Sequence, residues 1–536
     1  MSPAAPGRRL RLLALALCGA VPPAYGGLAL LLGQDANWDL RNYHWYNGYA
    51  FVTGRGGLDL LAAQLPSFYN PLIDVPFYLA ASVWPARLAG FALGTVQGLN
   101  FVALFALAHA VLRLEPPLAR VGVAALLAGL GLLGGGTLGL LGTTFYDNTV
   151  SVLLFAALAL IANRLPLLLS APWPVAARWA VLAGLLMGSA MGLKQTTMLY
   201  GVALCAALLV LPAPWPRRLG LCWWFGLGVL AAVAAWAGWW MLHLWRDFGN
   251  PLFPYMNQLF QSPYAALSDY RQQTYLPGSA WEALAFPFLI AADPLRSGEV
   301  PWQDFRLPVL AVLLPLTALA ACLGRRRPGG GLAHDLVDPA AARYLLVAMA
   351  LAYGLWLKMF AIYRYLVPVE MLAPLLIVLC LALLPLQRRY RLALAVLVLA
   401  GLQATVRPAD WGRVPWGERW VTAAPPALAD PDRTMVLMAG YWAIAHVLPS
   451  FPPQIPFVRV ESNFVQPTST GNATLELIRH RLAGHGGPLH LLCTIPDTPH
   501  AARSIEPLGL ELDQGGCRPV PNNLGETLNL CPVRRR

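Results

Sequence analysis

The sequence has 536 residues, of which 57% are hydrophobic and 12% charged, and its mean hydropathy is +0.54. An average soluble domain carries about 25% charged residues, so this composition excludes a soluble globular protein and predicts an integral membrane protein. The formal net charge of +12 does not indicate a nucleic-acid partner, because many of the arginines stand in short connectors between apolar runs, a pattern typical of cytoplasmic loops.

Apolar runs long enough to cross a membrane recur along residues 1–406. The first resembles a signal peptide, but it continues to Leu32 without a small-residue cleavage site, so we interpret it as an uncleaved helix. A hydrocarbon core of about 30 Å needs about 20 apolar residues. By this criterion the sequence predicts about eleven spans, near 10–33, 88–112, 120–141, 149–164, 177–193, 196–212, 219–243, 306–323, 342–362, 364–385 and 390–406.

The charge distribution predicts the topology of these spans. If the N-terminus is cytoplasmic, every arginine-rich connector also falls on the cytoplasmic side, namely 113–120, 164–178, 213–218, 324–341 and 386–391. The outer loops 33–87 and 244–305 then face the periplasm of a bacterium, and the chain lies in the inner membrane. Residues 72–87 fit either an interfacial helix or a further span. We favour the interfacial helix, since a span would reverse all later connectors.

Residues 407–536 have the composition of a soluble domain on the periplasmic side. Segments 434–440 and 488–494 are typical of buried strands, and 473–487 is typical of a helix that ends at glycine. This alternation predicts a small α/β domain. The domain contains Cys493, Cys517 and Cys531, which allow one disulfide in an oxidising compartment.

The first outer loop is dense in polar and aromatic residues ("GQDANWDLRNYHWYNGYAFVTGR", 33–55). Asp35 and Asp39 would share one face of a helix, and a neighbouring cation could keep one of them ionised as a general base. The alternative is a solvated loop whose aromatic residues form an interfacial belt. Candidates for substrate contact in this loop are Tyr43, His44, Trp45, Tyr46 and Asn47.

Two more charged residues stand at the outer ends of apolar runs. Asp147 lies in "GTTFYDNT" (142–149), where the alternative role is a turn residue or helix N-cap. Lys194 lies between two apolar runs. A lysine near bilayer depth is a functional candidate, although a short hairpin would let its side chain reach the surface.

The segment "LWLKMFAIYRYLVPVE" (355–370) carries the last group of charges. Arginine suits the binding of a phosphate, so Arg364 and Lys358 are phosphate-binding candidates. The alternative is an internal ion pair of Arg364 with Glu370 or Asp147. The chain has no P-loop, HExxH, GxSxG or EF-hand motif, so nucleotide hydrolysis, zinc proteolysis and serine hydrolysis are not expected.

Three motifs on the outer side resemble the GT-C superfamily of membrane glycosyltransferases. "DLRNYHWYNGYAFVTGR" (39–55) is similar to the DLxxY…G segment after the first helix of bacterial polyprenyl-phosphate mannosyl- and arabinosyltransferase-like members. "FGNPLFPYMN" (248–257) resembles a GNPxFP element of the large outer loop, and "YRYLVPVE" (363–370) resembles an RYxxP element. The resemblance covers the layout of residues 1–406, and the C-terminal domain adds little to it.

The resemblance implies transfer of a sugar from a polyprenyl-phosphate donor to a hydroxyl of a glycan or lipid acceptor, within a GT-C-like helical fold surrounded by membrane lipids. It implies that Asp39 is catalytic, with Asp35 second. The chain lacks the acidic doublet of the protein-O-mannosyltransferase-like branch, so a protein acceptor is not expected. No metal or other cofactor is predicted.

The remaining roles follow from the same resemblance. Arg364, with Lys194 or Lys358, would bind the donor phosphate, and aromatic residues of the first outer loop would stack on sugar rings. Further residues predicted to contact substrate are Asp147, Tyr363 and Glu370. Two other functions stay open at this point: a transporter or flippase of a lipid-linked glycan, which predicts internal repeats, and a non-enzymatic membrane scaffold.

Overall fold

The computed structural model describes residues 4–324, 335–469 and 471–536. Arg325, Arg326 and Arg327, part of the predicted connector 324–341, lie outside the described residues. The helices are α1 (Ala4–Leu32), α2 (Trp45–Val52), α3 (Asp74–Val83), α4 (Ala86–Val111), α5 (Pro117–Leu132), α6 (Gly135–Gly139), α7 (Asp147–Asn163), α8 (Leu165–Ser170), α9 (Trp173–Leu193), α10 (Met198–Ala207), α11 (Trp215–Phe248), α12 (Asn257–Phe260), α13 (Ala280–Ala292), α14 (Arg306–Gly324), α15 (Pro339–Met359), α16 (Val367–Leu383), α17 (Arg388–Thr405), α18 (Ala473–Gly484) and α19 (Thr498–Ile505).

The described part of the chain contains seven helices that are long and apolar enough to cross a membrane, so it has the structure of a helical membrane protein. They cover Arg8–Leu32, Ala86–Val111, Trp173–Leu193, Trp215–Phe248, Arg306–Leu323, Pro339–Met359 and Tyr363–Leu383.

The structure does not support the predicted count of about eleven spans. Helix α5 ends at Leu132, and the chain resumes as the short α6. Helix α7 has 17 residues, a length of about 26 Å, which is less than a hydrocarbon core of about 30 Å. Residues 195–210 form another shorter apolar helix, and α17 begins with three arginines among its first four residues.

Close helix contacts fix the directions of neighbouring helices. Gly184 of α9 packs on the backbone of Phe225, and Gly188 packs one turn further along on Val229 of α11. A methyl group at Gly184 would lie 2.1 Å from the Phe225 carbonyl oxygen, so only glycine permits this approach. Because the two contacts advance together, α9 and α11 run parallel. The chain between them must therefore return along the bundle.

The first outer loop is folded. A π-helical turn, Leu40–His44, leads directly into α2. Helix α3 packs on α2 where Gly48 meets Tyr78. With 10 residues, α3 is too short to cross a membrane, which agrees with the preference for a helix that does not span at residues 72–87.

The C-terminal region forms the predicted α/β arrangement. Its sheet has the strand order β4 (Phe457–Arg459), β3 (Met435–Met438), β5 (Leu489–Thr494), β8 (Leu528–Arg535) and β6 (Leu510–Leu512), with β7 (Arg518–Val520) paired to β8. Strands β3, β4 and β5 are mutually parallel, and the other pairings are antiparallel. Cys517 and Cys531 form the disulfide, and Cys493 is a buried free thiol. The strands of the molecule are β1 (Gln34–Asp35), β2 (Arg413–Val414), β3 (Met435–Met438), β4 (Phe457–Arg459), β5 (Leu489–Thr494), β6 (Leu510–Leu512), β7 (Arg518–Val520) and β8 (Leu528–Arg535).

The first outer loop and the C-terminal domain pack as one unit. Strand β1 pairs with β2. The Arg55 guanidinium donates to the carbonyl oxygens of Pro453 and Ile455, each at 2.6 Å. Asp59 accepts from the backbone N–H of Phe457 at 2.9 Å. These contacts therefore join residues on both sides of the predicted domain boundary at residue 407.

Candidate functional site

Asp39 and Arg364 meet although 325 residues separate them. Asp39 precedes the π-helical turn, and Arg364 lies in the turn that leads into α16. Arg364 Nη1 lies 3.2 Å from Asp39 Oδ2, and the Tyr43 hydroxyl donates to the same oxygen at 2.8 Å. Both charged side chains are mostly buried, with exposed fractions of 14% for Asp39 and 10% for Arg364. Asp39 Oδ2 is thus held between a guanidinium group and a phenol hydroxyl.

Lys194 and Asp147 form a second ion pair nearby. Lys194 Nζ lies 2.7 Å from Asp147 Oδ1 and donates to the carbonyl oxygen of Phe145 at 2.5 Å. Burial lowers the pKa of Lys194; the Asp147 carboxylate opposes this shift, and the charge of Arg364 adds to it. The two ion pairs are therefore within electrostatic reach. We refer to Asp39, Asp147, Lys194 and Arg364 as the outer charge cluster.

Aromatic rings enclose the cations of the outer charge cluster. The Arg364 guanidinium lies over the rings of Phe145, at 4.1 Å from the ring centre, and Trp411, at 5.1 Å. Lys194 Nζ lies 5.6 Å from the ring centre of Tyr365. Such cation–π contacts favour a charged guanidinium or ammonium group in a partly dry environment.

Several polar atoms in and beside the cluster are buried without a hydrogen-bond partner: Arg364 Nε, Asp147 Oδ2, His44 Nε2 and the Tyr146 hydroxyl. Buried polar atoms normally make hydrogen bonds, so we expect a polar ligand or water molecules beside these four atoms. Arg364 also faces Glu299, whose Oε2 lies 3.6 Å from Nε, beyond hydrogen-bond distance, and whose side chain is 45% exposed. Glu299 is thus a part-exposed ion-pair partner of Arg364 that makes no hydrogen bond to Nε.

His44 lies next to this cluster and is paired with Asp74. His44 Nδ1 and Asp74 Oδ1 are 2.6 Å apart. Burial lowers the pKa of His44, and the positive charges of Lys194 and Arg364 lower it further. The ring of His44 packs edge-on against Tyr146, with 4.8 Å between ring centres. The structure thus brings His44 together with Asp39, Asp147, Lys194 and Arg364.

Asp35 lies elsewhere and has a different environment. One carboxylate oxygen accepts from the backbone and side-chain nitrogens of Asn37, and the other accepts from the backbone N–H and hydroxyl of Thr144. The residue is fully buried, and burial raises its pKa. These contacts hold the 142–149 turn against β1. They give no support to the catalytic role predicted for Asp35.

Glu370 and Tyr363 are likewise turned into the protein. Glu370 accepts from the backbone N–H groups of Gly136 and Thr137, at 3.0 and 2.8 Å, and from the hydroxyls of Thr137 and Tyr363. Tyr363 stacks on Trp302 with 3.7 Å between ring centres. Arg364 pairs with Asp39 rather than Glu370. The substrate contacts predicted for Tyr363 and Glu370 receive no support from this geometry.

The other substrate-contact candidates of the first outer loop also make contacts inside the protein. Trp45 is buried against Tyr78, with 5.0 Å between ring centres. The Tyr46 hydroxyl donates to Asp59 at 2.6 Å, and the Asn47 amide donates to a backbone carbonyl at 3.0 Å. Of the predicted sugar-stacking residues, only Tyr43 contacts the outer charge cluster directly.

One predicted phosphate-binding residue lies apart from the outer charge cluster, and three residues in or near the cluster were not predicted. Lys358 is exposed in the last turn of α15, and no described ion pair joins it to the cluster. Asp74, Glu299 and Trp411 were not singled out. Asp74 is the only acidic residue of the 72–87 segment, which would have been a usable signal. Trp411 carries no such signal, because only the fold brings it to Arg364.

The comparisons with known proteins give no assignment. No family model matches the chain, and no curated protein matches it significantly. Within residues 4–324, 335–469 and 471–536, no three His, Cys, Asp or Glu side chains are grouped as a metal site. The outer charge cluster is therefore the basis for the functional assignment.

Proposed function

We propose that this chain is a membrane glycosyltransferase that moves a sugar from a polyprenyl-phosphate donor to an acceptor hydroxyl on the periplasmic side, with Asp39 as general base. The observation that carries the proposal is the 3.2 Å pairing of Asp39 with Arg364 beside Lys194 and Asp147. The outer charge cluster thus combines one proton acceptor, Asp39, with two cations, Arg364 and Lys194, in a mostly buried site.

The transfer needs one proton acceptor and one stabilised leaving group. Asp39 takes the proton of the acceptor hydroxyl, and the oxygen forms a bond to the anomeric carbon. The bond from that carbon to the phosphate oxygen breaks, and its electron pair leaves with the phosphate. The product is polyprenyl phosphate, and the proton remains on Asp39 until solvent removes it.

Arg364 and Lys194 are suited to the departing phosphate. The unpartnered Nε of Arg364 gives the phosphate a donor, and displacement of the part-exposed Glu299 opens the approach. Charge that develops on the phosphate oxygens is stabilised most by fixed cations in a site shielded from water. The aromatic surroundings of both cations supply that shielding.

Helix directions support the proposed topology, with a cytoplasmic N-terminus and periplasmic outer loops in a bacterial inner membrane. Because α9 and α11 run parallel, the arginine-rich connectors 164–178 and 213–218 at their starts lie on the same side, in agreement with the positive-inside pattern. The disulfide Cys517–Cys531 fits a domain in an oxidising compartment. In this topology the outer charge cluster faces the periplasm.

The test compares wild type with Asp39→Asn in transfer from a polyprenyl-phosphate sugar to pooled bacterial envelope glycans. We expect the variant to lose about 10²- to 10⁴-fold in rate, the range for loss of a general base. Asp432→Asn, at an exposed position of the C-terminal domain, is the matched control. Transfer that survives Asp39→Asn would overturn the base assignment. Absence of turnover by wild type with every donor would favour transport.

A further inference from the structure

The sheet of the C-terminal domain has a chain reversal of the kind at which ligands bind. Strand β3 lies between its parallel neighbours β4 and β5. The chain passes from β3 to β4 on one side, and then returns through α18 to β5 on the other. In open parallel sheets, ligands bind at the carboxyl ends of the strands where the connections diverge in this way.

The loop at the carboxyl end of β3 presents two aromatic rings. Tyr441 is 48% exposed and Trp442 is 46% exposed. The loop backbone is nevertheless fixed: Arg459 donates to the Gly440 carbonyl oxygen at 2.9 Å, and the Gly440 N–H donates to Glu461 at 3.2 Å. Gly440 has a φ of +85°, which favours glycine. The two rings are thus exposed on a positioned loop.

Polar groups adjoin these rings at the same end of the sheet. Glu461, only 3% exposed, follows β4, and its two oxygens lie 3.0 and 3.1 Å from Nε2 of the part-exposed His500. Asp497 lies close enough to feel the charges of both. At the end of β5, the Thr494 hydroxyl is buried without a hydrogen-bond partner. A partly exposed imidazole, a buried carboxylate and an unpaired hydroxyl suit a ligand rich in hydroxyl groups.

The same loop touches the segment that carries Asp39. The Gln64 amide donates to the Tyr441 carbonyl oxygen at 3.0 Å and to Asn42 Oδ1 at 3.1 Å. Asn42 belongs to the π-helical turn that contains Tyr43, the hydrogen-bond partner of Asp39. Two hydrogen bonds of Gln64 therefore connect the loop of Tyr441 and Trp442 with the segment that carries Asp39.

We propose that Tyr441, Trp442, Glu461 and His500 form a binding site for a neutral glycan, which serves as the acceptor of the transfer. The acceptor role rests on the proposed glycosyltransferase function, whereas glycan binding does not. The apolar face of a sugar ring would pack on the aromatic rings, and its hydroxyls would pair with the part-exposed His500, which the buried Glu461 holds in place. A neutral glycan is favoured because Glu461 and Asp497 would repel an anionic sugar.

The test measures binding in the absence of donor, so that it does not depend on catalysis. Full-length protein in nanodiscs is applied to an array of immobilised short oligosaccharides, neutral and uronic-acid-containing. The retained members are then titrated by calorimetry. We expect neutral members to bind, and Trp442→Ala to weaken binding about tenfold, which corresponds to about 1.4 kcal/mol. Tyr441→Phe, which keeps the ring, should bind as wild type does. Leu477→Ala is the control at an exposed apolar position of the same domain.

The outcomes separate this site from the proposed function. Asp39→Asn should bind glycan normally while losing transfer. Retention of no neutral member, binding of uronic-acid members alone, or equal affinity in wild type and Trp442→Ala would overturn the glycan site and leave the Asp39 experiment unaffected. If the glycan binds at Trp442 but Trp442→Ala leaves the KM for that glycan unchanged in the transfer assay, the acceptor role is wrong.

Discussion

Two buried charged clusters lie on either side of the start of α16, and they differ in how completely their atoms are paired. In the cluster of Asp304, Arg306 and Glu370, the Arg306 guanidinium donates to two backbone carbonyl oxygens and to Gln403, and Nε lies 3.5 Å from Asp304. Both oxygens of Glu370 accept two hydrogen bonds each. In the outer charge cluster, Arg364 Nε and Asp147 Oδ2 have no hydrogen-bond partner.

This difference separates a structural role from a binding role. Buried charges whose oxygens and terminal nitrogens are hydrogen-bonded fix the backbone around them, and they leave few donors or acceptors for a ligand. Buried charges with unpaired atoms cost free energy in the absence of a ligand. We infer that the Arg306 cluster holds the bundle together and that the outer charge cluster binds substrate. Three substitutions test that inference.

The largest expected effect is on stability, from Glu370→Ala. The substitution leaves the N–H groups of Gly136 and Thr137 and the hydroxyl of Thr137 without their acceptor. Breaking such a buried network costs about 3–5 kcal/mol. Thermal unfolding in detergent measures the loss, with Glu299→Ala as the control because that carboxylate is 45% exposed. Equal unfolding temperatures for the two variants would refute the distinction between the clusters.

A smaller effect, on activity, is expected from Arg364→Lys. Lysine keeps the charge but loses the planar fork that binds phosphate by two hydrogen bonds. We expect kcat/KM to fall about 10- to 100-fold, or about 1.4–2.8 kcal/mol in transition-state stabilisation, while the unfolding temperature changes little. Steady-state kinetics with varied donor measures this. Unchanged kinetics together with a large loss of stability would assign Arg364 to the structural class.

The smallest expected effect is a shift of the pH profile by Lys194→Arg. Because burial lowers the pKa of Lys194, the folded protein loses this proton at a lower pH than the unfolded chain. Over that interval stability rises with pH, since the unfolded state binds more protons, whereas activity falls as the phosphate loses a cation. Arginine stays charged, so the alkaline limb of the rate profile should move to higher pH. An identical limb in both proteins would exclude Lys194 from phosphate binding.

The sequence indicated Asp39, Asp147, Lys194 and Arg364 because charges at the ends of apolar runs are costly and therefore conspicuous. The resemblance ranked Asp39 before Asp35, but the structural roles of Asp35 and Glu370 were not predictable, because their partners Thr144 and Thr137 lie more than a hundred residues away in the chain. The predicted count of about eleven spans also exceeds the seven helices that are long and apolar enough to cross a membrane in the described part of the chain. An apolar run does not reveal that the helix ends at Leu132 before a second, short helix begins.

The packing of Arg55 and Asp59 against residues 453–457 has a consequence for biosynthesis. The first outer loop leaves the ribosome early, but its partner strands are translated only after the last helix of the bundle. The contacts of this loop with residues 453–457 therefore form only at the end of synthesis. A prematurely terminated chain would insert its helices yet lack a finished outer face. The complete fold of the first outer loop thus depends on the last quarter of the chain.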